Sequence, residues 1–305
     1  MSRIFEALQQ AKSETVSPET ATEGATSSPI LASSDAPRDV YSIPDLEQVA
    51  AFSIRTLPEH RLVVITDEHS LAAEKVRVLS TRLRSLQQRR QIKKVLITSS
   101  ISGEGKSVIS ANLALTLAMR GRKKTLLIGG DLRRPSLGKL FGISDVPGLT
   151  EWWRGGGSIC DHFRQVEGLP LWLLPAGDGL EQPLEILQSE RLSKLMAQVG
   201  QWFDSVIVDS PPLAPMADSG VWMNLVDGVL LVVRTGRTPK NLVRKTVDLV
   251  EKTKLLGLVV NGAAETHQPY YYYYDKKDPK GSKGASHDGS KTATPSSSNK
   301  ERLLQ

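Results

Sequence analysis

Three residues whose types and order suit phosphate chemistry lie shortly after an apolar run, VLI, at residues 95–97. They are Gly105, Lys106 and Ser107. Apolar residues recur at helical spacing over residues 108–118, so the segment predicts a strand, a tight loop and a helix. A loop of this kind directs several backbone N–H groups and the positive end of a helix at one point, where a di- or triphosphate commonly binds. Lys106 would supply a mobile charge for the β- and γ-phosphates, and Ser107 a hydroxyl ligand for Mg²⁺.

The match to the phosphate-loop pattern G-x-x-x-x-G-K-[ST] is incomplete, because Ser100 stands at the first glycine position. Gly103 offers the backbone freedom that the missing glycine would supply. A dinucleotide fingerprint fits less well, since its third glycine would fall at Val108. The alternative is an ordinary strand–helix turn with a surface lysine. We predict that the nucleotide is bound by the loop and the start of the helix, namely Ser102, Gly103, Glu104, Gly105, Lys106, Ser107 and Val108.

Polar residues also follow other apolar strands. Asp131 comes after the apolar run at 126–128, and Asp209 follows the run at 206–208. Carboxylates at the carboxyl ends of parallel strands lie on the ligand rim, so both are candidate Mg²⁺ ligands and catalytic residues, together with Lys106. Asp131 is also a candidate proton acceptor, with a plain turn aspartate as the alternative. Asn261 ends the strand GLVVN and is a candidate for hydrogen-bonding a base, with a turn or capping role as the alternative.

Composition restricts the classes of protein. The chain has 305 residues and a formal net charge of +6. Residues 1–60 carry 4 basic and 9 acidic residues, residues 61–264 carry 28 and 19, and residues 265–305 carry 7 and 5. The basic middle suits a phosphate-bearing ligand or an acidic partner, with solvated surface lysines as the alternative. The single cysteine excludes an intramolecular disulfide and indicates a reducing, cytoplasmic compartment, and neither a signal peptide nor a membrane span is predicted.

The pattern of elements predicts three regions. Residues 1–12 predict a short helix, with a frayed N-terminus as the alternative. The rest of residues 1–60 predicts a disordered linker, because small polar residues dominate and large apolar ones are few. Strands and helices alternate over residues 61–264, which predicts an α/β domain with a mostly parallel sheet and helices on both faces. Its first strand is expected at 61–66, and the glycine-rich segment 148–157 is expected to be a surface excursion rather than a core element.

Residues 265–305 form a predicted flexible tail with five consecutive tyrosines. Such a run cannot pack on one face of a helix or a strand, so exposure is expected. Three uses stay open, namely a sticky binding patch, a nucleic-acid stacking arm and a set of phosphorylation sites. Few basic residues are interleaved with the aromatic ones, which argues against nucleic acid as a partner. The candidate phosphoacceptors are Tyr270, Tyr271, Tyr272, Tyr273 and Tyr274.

Taken together, GEGKS, LIGGDLRRP, FDSVIVDSPP and the tyrosine cluster resemble the bacterial tyrosine kinases of capsular and exopolysaccharide synthesis. The resemblance extends over about residues 60–275. It implies the phosphate-loop NTPase fold, with Lys106 at the phosphates of ATP and Ser107 and Asp209 organising Mg²⁺. It implies autophosphorylation of C-terminal tyrosines in trans within a ring-forming homo-oligomer. It also implies a peripheral location at the inner face of the membrane, through a membrane-spanning polysaccharide co-polymerase.

Two positions depart from the family pattern. Gly129 replaces the first acid of Asp-x-Asp after the strand LLI, which leaves Asp131 as the remaining acid. The interface motif E-x-x-R-x-x-R reads Glu74, Arg77 and Ser80. One competing hypothesis is an ATP-binding scaffold that has lost phosphotransfer. Another is an ATPase of the chromosome-partitioning kind, which leaves the tyrosine run unexplained and would require a second lysine near the start of the loop.

Overall fold

A computed structural model describes residues 46–54, 61–155, 157–214 and 217–263. The predicted helix at 1–12, most of the predicted linker and the five candidate tyrosines, 270–274, lie outside the described residues. The strands are β1 (Ala51–Phe52), β2 (Lys94–Ser99), β3 (Thr125–Gly129), β4 (Arg164–Val166), β5 (Leu171–Leu174), β6 (Ser205–Asp209), β7 (Gly228–Arg234) and β8 (Leu255–Asn261). The helices are α1 (Val63–Thr66), α2 (Leu71–Arg90), α3 (Lys106–Gly121), α4 (Leu137–Phe141), α5 (Leu149–Gly155), α6 (Leu184–Leu187), α7 (Glu190–Trp202), α8 (Ala217–Leu225) and α9 (Lys240–Leu249).

The described strands form one eight-stranded sheet in the order β1-β4-β5-β3-β6-β2-β7-β8. Neighbouring strands are parallel, except that β4 and β5 are antiparallel. Strands β3, β5 and β6 are buried along their whole length, which is typical of a parallel sheet covered on both faces. The predicted fold class, an α/β domain with a mostly parallel sheet, is therefore confirmed.

Two apolar clusters cover the two faces of the sheet. On one face, Leu96 of β2 packs in a cluster with Leu195 of α7 and Trp222 of α8. On the other face, Ile97 belongs to a cluster with Leu83 of α2. Adjacent residues of β2 thus point to opposite faces, as the pleat of a strand requires. Burying apolar helix faces on both sides of the sheet fixes the strands, and so fixes the loops at their carboxyl ends.

The strand register brings three of these loops together. In β2, Ile97 pairs with Asp209 of β6, and on the other side of β6 the same aspartate pairs with Gly129 of β3. The carboxyl ends of three adjacent strands therefore lie at one level. Asp209 sits between the loop that follows β2 and the loop that follows β3.

The predicted first strand at 61–66 is wrong, because Val63–Thr66 forms a short helix, α1. The backbone N–H of Val64 donates to Oδ1 of Asn112 in α3 at 3.2 Å. Leu62 and Val64 are buried in the cluster that includes α2 and α3, so helix packing overrides the strand propensity of the valines. Residues 46–54 of the predicted linker are instead part of the fold, since Leu46 is buried and β1 pairs in parallel with β4.

Two further predictions about helices need correction. The segment 148–157 contains α5, whose Leu149 and Trp152 are buried, so it is a core element rather than a surface excursion. The guanidinium of Arg191 lies 4.1 Å from the Trp152 ring centroid, a cation–π contact that fixes α5 against α7. The helix predicted at 183–199 is divided in two, because Ser189 caps α7 by accepting from the Leu192 N–H. Among the described residues, no helix combines the length and the apolar character needed to cross a bilayer.

Candidate functional site

The loop between β2 and α3 depends on two glycines with left-handed backbones. Gly103 has a φ of 81° and Gly105 a φ of 92°. A Cβ atom on Gly105 would lie 2.3 Å from Nδ2 of Asn261, so this position has no space for a side chain. The first residue of α3 is Lys106, which is buried although it is charged. The predicted strand, tight loop and helix are confirmed, and Gly103 supplies the backbone freedom expected of it.

Glu104 has a structural role in this loop. Its carboxylate is fully buried and accepts from the backbone N–H of Ile101 at 2.9 Å and that of Arg234 at 3.3 Å. The hydroxyl of Thr238 also donates to it. Because these partners occupy the carboxylate, the side chain of Glu104 ties the loop to the end of β7. Only its backbone is available to a ligand, a distinction that the sequence prediction does not make.

Asn261 holds the same loop from β8. Its side-chain amide donates to the backbone carbonyl of Glu104 at 2.9 Å. This contact gives Asn261 a structural role, as the alternative expected, while the hydrogen bond to a base stays a prediction. The loop is thus fixed by side chains from β7, β8 and the β7–α9 connection, which keeps its backbone N–H groups in place.

Lys106 and Asp131 form a nearly buried ion pair. The Lys106 Nζ lies 3.2 Å from Oδ2 of Asp131, with side-chain exposures of 11% and 9%. The other carboxylate oxygen of Asp131 accepts from the backbone N–H of Arg134 at 3.1 Å, which is the contact expected of a turn aspartate, and its role toward a metal or a proton stays a prediction. The hydroxyl of Ser107 lies 3.0 Å from that of Ser136, at the mouth of the same loop.

Asp209 completes this cluster from the end of β6. Burial raises the pKa of its carboxyl to about 6, while Lys106 and the hydroxyls of Ser107 and Ser110 act in the opposite direction and Asp131 raises it further. The Ser110 hydroxyl lies 3.3 Å from Oδ1 of Asp209. The structure therefore brings together the predicted residues Lys106, Ser107, Asp131 and Asp209. A buried carboxylate whose charge is poorly compensated is a favourable ligand for a divalent cation.

Gly129 lies beside Asp209, and its position excludes a side chain. A Cβ atom there would approach the backbone nitrogen of Ala176 to 2.8 Å. The next residue, Gly130, is equally confined, because its Cβ would lie 2.9 Å from the Trp222 ring. The first acid of the resembled family's Asp-x-Asp would require the backbone after β5 to shift. Of the acids that the resemblance leads us to expect here, Asp131 and Asp209 remain.

Sequence reasoning assigned no structural role to two acidic residues that position the surrounding loops. Asp218, which is almost fully buried, accepts from Nε of Arg133 at 2.6 Å and from Nη2 at 3.2 Å, and this hydrogen bonding raises the pKa of Arg133. Glu151 accepts from the backbone N–H of Gly148 at 2.7 Å and that of Asp178 at 3.0 Å. The two consecutive arginines after Asp131 were a sequence signal for the contact between Arg133 and Asp218. No feature of the local sequence indicates the contacts of Glu151.

The strand, the loop with two left-handed glycines and the helix that begins at a lysine form a phosphate loop, with two carboxylates beside it. The fold and this site place the protein in the class that has the phosphate-loop NTPase fold. No protein-family model matches the sequence. Comparison with individual proteins is more informative.

Tyrosine-protein kinase YwqD of Bacillus subtilis (strain 168) is 34% identical over 222 residues, which is 72% of this chain and 93% of that protein. Succinoglycan biosynthesis transport protein ExoP of Rhizobium meliloti (strain 1021) is 34% identical over 68% of this chain and 27% of its own length. The kinase domain of Escherichia coli tyrosine kinase ETK is similar in structure, with a TM-score of 0.64 and 26% identity over 73% of this chain and 88% of that one. The chain belongs to the bacterial tyrosine-protein kinases.

Proposed function

We propose that the protein is an ATP-dependent tyrosine autokinase that phosphorylates tyrosines 270–274 of a neighbouring copy and thereby regulates exopolysaccharide or capsule synthesis and export. The convergence of Lys106, Asp131 and Asp209 at the mouth of the phosphate loop is the observation that carries this proposal. The family membership and the tyrosine cluster support it. The basic charge of residues 61–264 is consistent with a nucleotide as the ligand.

The residues present fit a nucleotide and its magnesium ion. Backbone N–H groups of residues 102–107 and the start of α3 would surround the phosphates, because the glycines hold the loop in a turned conformation. The hydroxyl of Ser107 and the carboxylate of Asp209 are oxygen ligands of the kind that Mg²⁺ prefers, and the predicted third ligand, Asp131, is assigned in this proposal to the proton of the acceptor. When bound, Mg²⁺ neutralises charge on the β- and γ-phosphate oxygens.

Lys106 and Asp131 would exchange partners during the reaction. The Lys106 ammonium, which lies 3.2 Å from Asp131, would move to the phosphate oxygens. Asp131 is then released to accept the proton of the tyrosine hydroxyl, whose pKa of ~10 otherwise keeps it protonated. Phosphoryl transfer has a loose transition state, so positioning and charge neutralisation contribute more than a strong base. One remaining carboxylate is sufficient for this role.

The outward face of α2 supports assembly into a ring. Leu71 and Val78 are seven residues apart, so they share a face, and their exposures are 45% and 44%. On the same helix, Arg77 and Glu74 form an ion pair of 2.6 Å. Ser80, where the resembled family has its second arginine, is buried and contributes no charge to this surface. We propose a membrane-spanning polysaccharide co-polymerase as the partner that holds the ring at the inner face of the membrane.

A second candidate function is a nucleotide-dependent scaffold without phosphotransfer. The tight contact between Gly129 and the backbone of Ala176 favours it, since this contact excludes the acid that the resembled family has there. In this case ATP binding would control association with the membrane partner, and the tyrosines would serve another purpose.

One set of measurements separates the two functions. Full-length protein incubated with Mg·ATP is expected to gain phosphotyrosine within residues 270–274, detected by antibody and located by mass spectrometry. Lys106→Met is expected to gain none. A Lys106→Met chain should nevertheless be labelled when mixed with an active chain whose five tyrosines are phenylalanine, because transfer is in trans.

The controls concern Gly129. Gly129→Ala shows how a Cβ atom alone affects the formation of phosphotyrosine, and Gly129→Asp adds the carboxylate. Phosphotyrosine in the unmodified chain supports the kinase. If the unmodified chain binds ATP by calorimetry and phosphotyrosine forms only in Gly129→Asp, the scaffold is correct and the proposed kinase activity is refuted.

A further inference from the structure

A cavity of about 100 Å³ lies beside the catalytic cluster, between the loop after β3 and the loop after β5. Asp131 and Asp209 line its inner end, next to Gly129. Apolar groups of Ile143 and Pro175 contribute to its walls. The cavity is comparable in size to a single phenol ring, and a hydroxyl at its inner end would face the carboxylates of the cluster.

Glu151 joins the two walls of this cavity. Its carboxylate accepts from the backbone N–H of Gly148, which follows the wall residue Val146 by two positions, and from that of Asp178 on the other wall. The backbone N–H of Leu149 donates to Pro175 O at 2.9 Å, and that of Thr150 to Ala176 O at 3.0 Å. These contacts hold the walls at a fixed separation, so the cavity is a preformed feature of the fold.

The outer end of the cavity carries two exposed acids, Asp145 and Asp178, which we call the acidic rim. Neither forms an ion pair with another described residue. One lysine, Lys139, also lines the cavity, and Asp131 is already paired with Lys106, so the two acids of the rim face a single lining lysine. The rim therefore favours a group with positive charge.

The chain itself supplies such a group after the tyrosine run, beyond the intervening Asp275. Lys276 and Lys277 follow Tyr274 at two and three residues' distance, and Lys280 follows them. In an extended chain Lys276 and Lys277 lie within roughly 10 Å of the tyrosine, which allows one segment to occupy both ends of a small cavity.

We infer that the acidic rim selects the acceptor, by binding the lysines that follow the tyrosine run while a phenol occupies the cavity. This inference rests on the proposed function, and it adds a rule for substrate choice. A tyrosine followed at two to three residues by basic residues is preferred to one followed by acidic residues. It also determines which tyrosine enters the cavity when the lysines lie at the acidic rim, so Tyr273 and Tyr274 are modified before Tyr270 and Tyr271.

The test measures initial rates of transfer between two full-length chains. The enzyme carries phenylalanine at all five tail tyrosines, and the acceptor carries Lys106→Met with its tyrosines intact. A second acceptor adds Lys276→Glu and Lys277→Glu. Because exposed ion pairs are weak, the second acceptor should be labelled roughly three- to tenfold more slowly at low salt, and the difference should shrink as salt is added. Mass spectrometry at early times should find Tyr273 and Tyr274 labelled first in the first acceptor.

Rim variants of the enzyme make the test specific. Asp178→Lys combined with Asp145→Asn should reverse the preference between the two acceptors; asparagine is chosen because Asp145 has a φ of 57°, which asparagine tolerates. Asp161→Lys changes an exposed acid that does not line the cavity and should leave the preference intact. Unchanged ATP affinity by calorimetry shows that the rim variants remain folded.

Equal initial rates for both acceptors, or a preference that Asp161→Lys reverses as strongly as the rim variants do, would overturn the rim as selector while leaving the kinase in place. Absence of transfer to either acceptor would refute the proposed function itself, and the rim inference with it.

Discussion

Replacing Asp209 by asparagine should make the metal-free protein more stable at neutral pH. Asp209 is fully buried at the end of β6, and burial raises the pKa of its carboxyl to about 6. In the unfolded chain the pKa is ~3.9. Between these two values the native protein holds a proton that the unfolded chain has released. The protonated form therefore contributes stability that is fully present below pH ~4 and is lost as the pH rises through about 6.

The size of this effect follows from the difference between the two pKa values. A difference of about two units corresponds to a loss of about 3 kcal/mol of unfolding free energy above pH 7. The amide introduced by Asp209→Asn would carry no charge at any pH and so would avoid this loss. For a domain of this size, the gain corresponds to a rise in Tm of roughly 6–12 °C at pH 8. Near pH 4 the two proteins should be equally stable.

Urea unfolding in EDTA at pH 4 and at pH 8 measures this difference, because the chelator removes any divalent cation that would compensate the carboxylate. Asp161→Asn, a change at an exposed acid, is the control and should alter stability by less than about 0.5 kcal/mol at either pH. With Mg·ADP at pH 8 the order should invert, since the native protein is stabilised by the ligand and the variant much less. A variant that is no more stable than the native protein in EDTA at pH 8 would refute the reasoning.

Other predictions concern the residues that hold the loops. Gly105→Ala should lose about 2–4 kcal/mol of unfolding free energy, from its left-handed backbone and its clash with Asn261. Adding Asn261→Ala should relieve the clash, but not the backbone strain, and it should itself cost the hydrogen bond from Asn261 to Glu104, so the double variant should stay less stable than the Asn261→Ala single variant by urea unfolding. Glu104→Gln places an amide N–H against backbone donors and should cost about 1–3 kcal/mol by the same assay, with weaker ATP binding by calorimetry. Glu151→Ala should leave ATP affinity within about twofold of the native value while lowering the rate of tail phosphorylation, because it frees the cavity walls and not the phosphate loop. A loss of ATP affinity in Glu151→Ala as large as its loss of phosphorylation rate would contradict that separation.

Local sequence signals predicted the elements that carry the chemistry. The strand, loop and helix around Lys106 and the acids that follow β3 and end β6 were predicted because apolar runs followed by glycine or aspartate have a direct physical meaning. Strands β1 and β4 were missed, since two and three residues are too few to show a period. The valines and isoleucine of α1 predict a strand, because β-branched residues favour strands. Packing against neighbouring helices, which the sequence does not reveal, makes this segment helical instead.

Contacts between residues far apart in the chain escaped prediction. Asn261 and Glu104 are 157 residues apart, and Arg133 and Asp218 are 85 apart, so no local pattern reveals either pair. The confinement of Gly129 likewise depends on where the loop after β5 lies. The sequence identifies a missing acid at this position, whereas the structure shows that the space for it is also missing.

The hydrogen bond from Asn261 to the phosphate loop has a consequence for the tyrosine-bearing extension. Asn261 is the last residue of β8, and the tyrosine run begins nine residues later in the sequence. The phosphate loop, which is the proposed nucleotide cradle, is therefore tied through the side-chain amide of Asn261 to the strand that precedes the tyrosine run. Any shortened version of the protein must retain this residue, or removal of the extension will also loosen the cradle and imitate a defect in catalysis.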